Sequence, residues 1–449
     1  MKTYVWLALA LAGNVHAATG VSVAASPSTT VLQDLSTIEL PARLRLPAPK
    51  ASDRIGSDAA VAEALTHNPG IMSSRAKLES ARGEYRHNTA ANNPIVNFGG
   101  SYLPEFRPGV DSDAARDFPD RDLTYLQYVF PTSGRRRYAT RAATGKYTAA
   151  VADLESAELD LVASVRAAYA DLQVSENVIA AQEDTWRIAV RFSDLAARQF
   201  KAGAVPQSNV SRAEVEEARA EQDLVRSHAD LVSKRQALLF SLGRGVSSAV
   251  SAADPLATDV AIPALATLDE VAQARPELRS ARAQIASLRA QIDVARADRR
   301  PDLTLQATPS DVVSNSGGIP YKAFVTLPLW DRGLISGTVA QARGDLKAAE
   351  WNLVQVQNQI HLDVTRAYQQ LEAARAVLHV LEERTVPISR RLLDQASVSY
   401  VAGAAPLFDV LDAQRVYRLA VVDQLNARGD VRRALAQLER AIGGPLPKR

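Results

Sequence analysis

No cysteine occurs in the 449 residues, which excludes disulfides, thiolate metal sites and an N-terminal lipid-modified cysteine together. Neither charge sign dominates: 52 Lys and Arg face 50 Asp and Glu, a formal +2, so no nucleic-acid partner is implied. Aromatics make up 6% of the chain. Ala, Leu, Val, Gln, Glu and Arg fill the long segments instead, the composition of extended helices. Beyond the first residues no stretch approaches the ~20 apolar residues of a spanning helix, so any membrane crossing must be made of strands. No phosphate loop, zinc-protease signature or nucleophile triad is found, and no enzymatic activity is expected. His67, His87, His228, His361 and His379 show no ligand spacing, so no metal site and no cofactor are expected.

The start, MKTYVWLALALAGNVHA, has a basic residue, a short apolar run and small residues before a cut after residue 17. It reads as a secretory signal peptide. Residues 18–57 are rich in Pro, Ser and Thr and read as an extended leader. Asp58 is expected to cap a first helix running to about Ala91.

One stretch occurs twice. Phe200 to Glu214 reads FKAGAVPQSNVSRAE and Tyr400 to Gln414 reads YVAGAAPLFDVLDAQ, with aromatic, Gly and Pro in the same register. Gly closing one helix and Pro opening the next is the signature of a tight reversal, so these are the tips of two long α-hairpins. The arms carry seams: Leu154, Ala157, Leu161, Val165, Ala168, Leu172, Ser175 and Ile179 before the first tip, and Leu353, Val356, Ile360, Val364, Ala367, Leu371, Ala374 and Leu378 before the second. Both follow 3,4 spacing with one inserted stutter at the same place. After the first tip the seam is expected to continue through Val215, Ala218, Gln222, Val225, Ala229, Val232, Gln236 and Leu239. The chain thus reads as an internal duplication, residues 58–250 and 267–443, with a linker at 251–266 and a tail at 444–449.

Each repeat also carries alternating apolar and polar residues. Val96, Phe98 and Tyr102, then Leu123, Tyr125 and Val129, mark two strands joined by a long charged loop, Arg107 to Arg121, in the first. Leu303, Leu305 and Ala307 pair with Tyr321, Ala323, Val325, Leu327 and Leu329 in the second. Four strands cannot sit in lipid as an open sheet, because the edge N–H and C=O groups would lack partners. Several copies must therefore pool their strands into one barrel, from which the helical hairpins hang.

The order helix, strand, strand, helix, helix hairpin, given twice, resembles the TolC-type outer-membrane efflux channels. The likeness rests on ALTHNPGIMSSRA at Ala64 to Ala76, FPTSGRRR at Phe130 to Arg137, LPLWDRGLISG at Leu327 to Gly337 and SYVAGAAPLFDVLDAQ at Ser399 to Gln414. The resemblance implies an α+β membrane protein: a homotrimer with a transmembrane β-barrel of four strands per subunit and a coiled-coil helical barrel crossing the periplasm. It implies docking to a periplasmic adaptor and an inner-membrane pump of the RND type, and LPLWDRG leans toward the branch serving heavy-metal cation pumps. Other readings are drug efflux, type I protein secretion and, from another class, a secreted coiled-coil scaffold or adhesin.

Asp409 and Asp412 stand one turn apart and in a trimer would ring the periplasmic mouth with carboxylates that favour cations. The resemblance agrees, placing the family's aperture aspartates on these two positions. It also implies that Tyr400 helps hold the aperture shut. Its lock is incomplete, with Ala405 where the family has Arg and Asn209 where it has Asp. Gly203, Ala204, Val205 and Gly403, Ala404, Ala405 are small enough for contact with an adaptor. The run Arg135 to Arg137 reads as a solvated or lipid-headgroup-facing collar.

Overall fold

The computed structural model describes residues 38–45, 53–97, 125–130, 132–245, 248–256, 258, 261–307, 321–326 and 332–447. The signal peptide and most of the leader, with Phe98, Tyr102, Leu123, Leu327 and Leu329, lie outside the described residues. The elements are β1 (Arg54–Ile55), α1 (Ser57–His67), α2 (Pro69–Thr89), β2 (Ile95–Asn97), β3 (Tyr125–Phe130), α3 (Arg135–Lys201) and α4 (Gln207–Leu242). Then come β4 (Ser251–Ala252), α5 (Leu265–Ala272), α6 (Pro276–Ala297), β5 (Asp302–Ala307), β6 (Tyr321–Thr326), α7 (Leu334–Val380), α8 (Val386–Val401) and α9 (Leu407–Ile442). The chain is mostly helical, with few strands.

The first helix is not continuous. Pro69 disfavours the helical region for the residue before it, and Asn68 sits at φ −65°, ψ 125°. Its side chain accepts the N–H of Gly70 at 2.7 Å and so caps α2. Nor does Asp58 cap α1; Asp254, from the linker, accepts the Ser57 N–H at 2.6 Å. Leader and linker also meet where β1 pairs in parallel with β4. Two-residue strands leave no periodicity to read.

α3 has 67 residues, roughly 100 Å of rod at ~1.5 Å per residue. α2 and α4 pack along one flank of it and α6 and α9 along another, while α7 packs on α6 and α9 and α8 on α9. The stacked pairs meet end to end. Asn68 Nδ2 donates to the Ser241 carbonyl at 2.9 Å between α2 and α4, and Arg275 Nη1 donates to the Ala441 carbonyl at 3.1 Å between α6 and α9. Each chain therefore supplies an arc of four rods, in the order α2/α4, α3, α6/α9, α7/α8.

The predicted seams of α3 and α7 face inward. Val165, Leu172 and Ile179 pack with Leu224, Leu231 and Leu238, and Ile360, Val364, Leu371 and Leu378 with Val431 and Leu438. The seam expected on α4 does so only at its end, where Leu239 is buried. Ala213, Ala220, Leu224, Leu231 and Leu238 form its buried stripe, and Val215, Val225 and Val232 point outward. α4 carries two apolar stripes, and the one read first from the sequence is the one this chain leaves uncovered.

Gly145 lets α3 and α6 approach closely: a Cβ there would lie 2.8 Å from both the Ala283 carbonyl oxygen and the Ser287 nitrogen. Backbone cannot yield as a side-chain end can. Gly145→Val is therefore expected to cost about 1–3 kcal/mol by overpacking, read as a lower thermal midpoint in detergent.

The strands form one antiparallel sheet in the order β2-β3-β5-β6, with Tyr128 opposite Leu305 and Leu305 opposite Ala323. β3, β5 and β6 show six residues each and β2 three; the further lengths expected from the sequence lie outside the described residues. Among the described residues β2 and β6 are the free edges.

The second long arm is one residue longer than the first, counted from Gly333 to Gly403 against Gly134 to Gly203. A π-helical turn at Leu381–Thr385 joins α7 to α8, the local widening that one surplus residue produces. Pro387, just inside α8, has no N–H to restore the ordinary helical bond there.

Candidate functional site at the hairpin tips

Both tips close by the same backbone device. Gly203 and Gly403 adopt φ of 74° and 71°, a conformation that costs a side chain strain. Around each, two N–H groups satisfy the carbonyls that the ending helix leaves open. Gly203 N–H donates to Phe200 O at 2.8 Å and Ala204 N–H to Gln199 O at 2.9 Å. Gly403 N–H donates to Tyr400 O at 3.0 Å and Ala404 N–H to Ser399 O at 2.9 Å. Nothing lies within 4 Å of where a Cβ on either glycine would sit, so backbone geometry alone calls for glycine. Ala204 and Ala404 are exposed, and Val205 and Ala405 half-buried.

The two tips of one chain pack on each other. Phe192, Ala196, Ala213, Tyr400, Leu407 and Val410 form a small core between the hairpins. Tyr400 is 4% exposed, and its hydroxyl donates to Gln199 Oε1 at 2.5 Å. Burial pushes the phenol up from its ordinary range, which keeps the donor protonated. Tyr400 thus meets Gln199 of α3; Asn209 is half-buried in the first turn of α4, its N–H on the Pro206 carbonyl at 3.0 Å. Gln199 carried no sequence signal, since a glutamine in a last helical turn reads as a solvated residue.

Asp409 and Asp412 occupy the first two turns of α9, Asp409 exposed and Asp412 half-buried. They differ in company. Asp412 accepts from Arg415 Nη2 at 2.9 Å, whereas Asp409 has no ion-pair partner among the described residues. A groove of about 570 Å³ runs between α4 and α9, with Arg212, Glu216 and Arg219 on one wall and Phe408, Asp412 and Arg415 on the other. Farther from the tips Arg418 of α9 pairs with Asp223 of α4, a charged link between hairpins. Asp223 could not be singled out in sequence from the other acids of α4.

A second polar centre lies where α6 meets α9. Arg275, 5% exposed, holds Glu277 through two hydrogen bonds, Nε to Oε2 at 3.1 Å and Nη2 to Oε1 at 2.8 Å. Arg440 Nη2 donates to Glu277 at 2.6 Å, and Ser156 Oγ to the same oxygen at 2.9 Å. Burial alone would push the Glu277 carboxyl up. The Arg275 hydrogen bonds, its own backbone N–H and the charges of Arg440 and Arg275 outweigh that and hold it at about 2. Surrounding Asp160, Asp363 and Arg366 line a cavity of about 370 Å³. Arg275 and Glu277 stand at the start of α6 and Arg440 at the end of α9, while Ser156 and Asp160 of α3 and Asp363 and Arg366 of α7 flank that junction from mid-helix, which suits a clamp between stacked helices.

Known proteins resemble this chain over most of its length. The family described as outer membrane efflux protein matches residues 60–244 and 267–444. The cobalt-zinc-cadmium resistance protein CzcC of Cupriavidus metallidurans is 24% identical over 431 residues, 94% of this chain and 98% of the relative. Protein CyaE of Bordetella pertussis is 28% identical over 387 residues, 82% and 80% of the two chains. Among solved structures, CusC superposes with a TM-score of 0.74 at 18% identity, over 91% of this chain and 98% of its own.

Proposed function

Because the chain belongs to the outer membrane efflux protein family, we propose that it is the passive exit duct of a tripartite efflux system, a homotrimer that spans the outer membrane and the periplasm. The observation that carries this reading is a pair of unlike free edges. α4 ends the helical arc on one side with exposed Val215, Val225 and Val232; α7 and α8 end it on the other with exposed Trp351, Val377, Val380 and Ile388. The sheet likewise ends in β2 on one side and β6 on the other. A patch that complements a different patch generates head-to-tail contacts, and head-to-tail contacts that close make a ring. Joining edges in this way covers both apolar stripes and pairs both strand edges at once, which a membrane-spanning sheet requires. The matching element orders of α1 to α4 and α5 to α9 support a duplicated chain.

The duct supplies no energy; an inner-membrane pump, with a periplasmic adaptor at the tips around Gly203, Ala204, Val205, Gly403, Ala404 and Ala405, drives it. Tyr400, in a lock left incomplete by Asn209 and Ala405, holds the mouth closed with few charged links, and Asp409 and Asp412 favour cations there. The likeness to the cobalt-zinc-cadmium resistance protein over nearly its whole length supports divalent heavy-metal cations as cargo.

Val225→Glu with Val232→Glu places like charges on the edge without touching the buried stripe. The expected result is conversion of a detergent-solubilised trimer to monomer by light scattering, with loss of conductance in planar bilayers. A wild-type chain that is monomeric, freely soluble without detergent and non-conducting would overturn the reading in favour of a secreted scaffold.

A further inference from the structure

α3 opens on Arg135, Arg136 and Arg137 with no carboxylate in its first turn. Cations at this end of a helix oppose the positive pole of its dipole, so neutralisation has to come from elsewhere. Only Arg135 obtains it from a carboxylate, and Arg136 is held by a neutral acceptor. Arg135 Nη1 lies 2.9 Å from Asp298 Oδ1, and Arg136 Nη2 donates to the Thr89 carbonyl at 2.6 Å. Arg137 and, one turn on, Arg141 are both exposed, about 6 Å apart along the axis, and neither has a carboxylate partner among the described residues. Between them and Thr89, Gly134, Arg136 and Thr140 lies an open groove of about 540 Å³.

Its place in the chain gives that charge a meaning. β3 ends at Phe130, a few residues before α3 begins, so the pair sits just below the rim of the sheet. Exposed Phe130 packs edge-on against Tyr128 at 4.5 Å, the kind of aromatic found where hydrocarbon meets headgroup. The second repeat lacks the pair: α7 opens on Leu334, Ile335 and Ser336, and Ala340 stands where Arg141 does.

Resting on the outer-membrane reading above, we propose that Arg137 and Arg141 form a docking site for the phosphate of an anionic phospholipid in the periplasmic leaflet, one site per subunit. Charge complementarity selects the occupant: two exposed guanidiniums without a carboxylate partner among the described residues, the tethered charge of Arg136 on the same groove, and a position at headgroup depth. The guanidinium forks suit phosphate oxygens in paired hydrogen bonds.

The test compares the intact detergent-purified protein with Arg137→Gln/Arg141→Gln, using phosphatidylglycerol and phosphatidylcholine as probes in native mass spectrometry; Arg391→Gln, an exposed arginine of α8, is the control. Wild type and control should retain phosphatidylglycerol over phosphatidylcholine, and the double variant should lose roughly tenfold of that preference. Unchanged retention by the double variant overturns the site. So does equal displacement of lipid by inorganic phosphate at matched concentration, which would make it a general anion site. Conductance of the same preparations separates the two failures. A conducting trimer without lipid preference sinks the site alone, and a non-conducting chain sinks the duct beneath it.

Discussion

Arg275→Ala is expected to destabilise the helical body by about 3–5 kcal/mol, the range for removing one member of a buried ion cluster and leaving its partners uncompensated. Arg275 joins three elements: its guanidinium grips Glu277 in α6, reaches the Ala441 carbonyl at the end of α9, and lies 3.5 Å from Asp363 of α7. Alanine deletes all of this and leaves Glu277 to Arg440. Glu277→Gln isolates the protonation part. The Glu277 carboxyl sits at about 2 in the fold against 4.5 ordinarily. The folded state therefore binds fewer protons than the unfolded between these values. Its stabilisation is complete above about pH 4.5 and disappears as pH falls through about 2, a change on the order of 3 kcal/mol. Thermal unfolding followed by circular dichroism from pH 6 to 2 should show wild type losing more stability than Glu277→Gln in that window. Parallel curves would mean that the cluster is not coupled to folding.

Asp409→Ala should lower the cation preference of the open duct about fivefold. One charge about 6 Å from a passing ion is worth roughly 0.7 kcal/mol in water, and three such charges, screened by physiological salt, leave roughly 1 kcal/mol. Asp412→Ala should do less, because Arg415 already answers that carboxylate at 2.9 Å; Arg415→Ala should raise cation preference by freeing it. Reversal potentials in a salt gradient measure all three. A ratio that ignores Asp409→Ala and the double Asp409→Ala/Asp412→Ala variant removes these residues from the mouth while leaving the architecture intact.

The tips and the inward seams of α3 and α7 were legible because breakers and periodicity are local signals. Gly203 and Gly403 stand where a left-handed residue is required, and Val165 and Val364 where knobs recur. The outward face of α4 was not legible in the same way. Its two apolar stripes are equally periodic, and only the packing of Leu224 and Leu231 against α3 decides which one this chain buries. Asn68 reads as an interior residue of one long helix, because a cap inside an otherwise periodic stretch looks like a tolerated polar residue. Of the site, Asp409, Asp412 and Tyr400 could be singled out; Gln199, the hydroxyl's acceptor, could not, since its pairing depends on how two hairpins 200 positions apart come to lie side by side. The Arg275 clamp is likewise a product of rods meeting end on.

The π-helical turn at Leu381–Thr385 works as a splice. An added residue in an ordinary helix would swing everything beyond it by about 100°, carrying the Tyr400 hydroxyl away from its acceptor. Taken up within one wide turn, the surplus leaves the coil above and the mouth below in alignment. One arm can thus outgrow its twin without unseating the end that it carries.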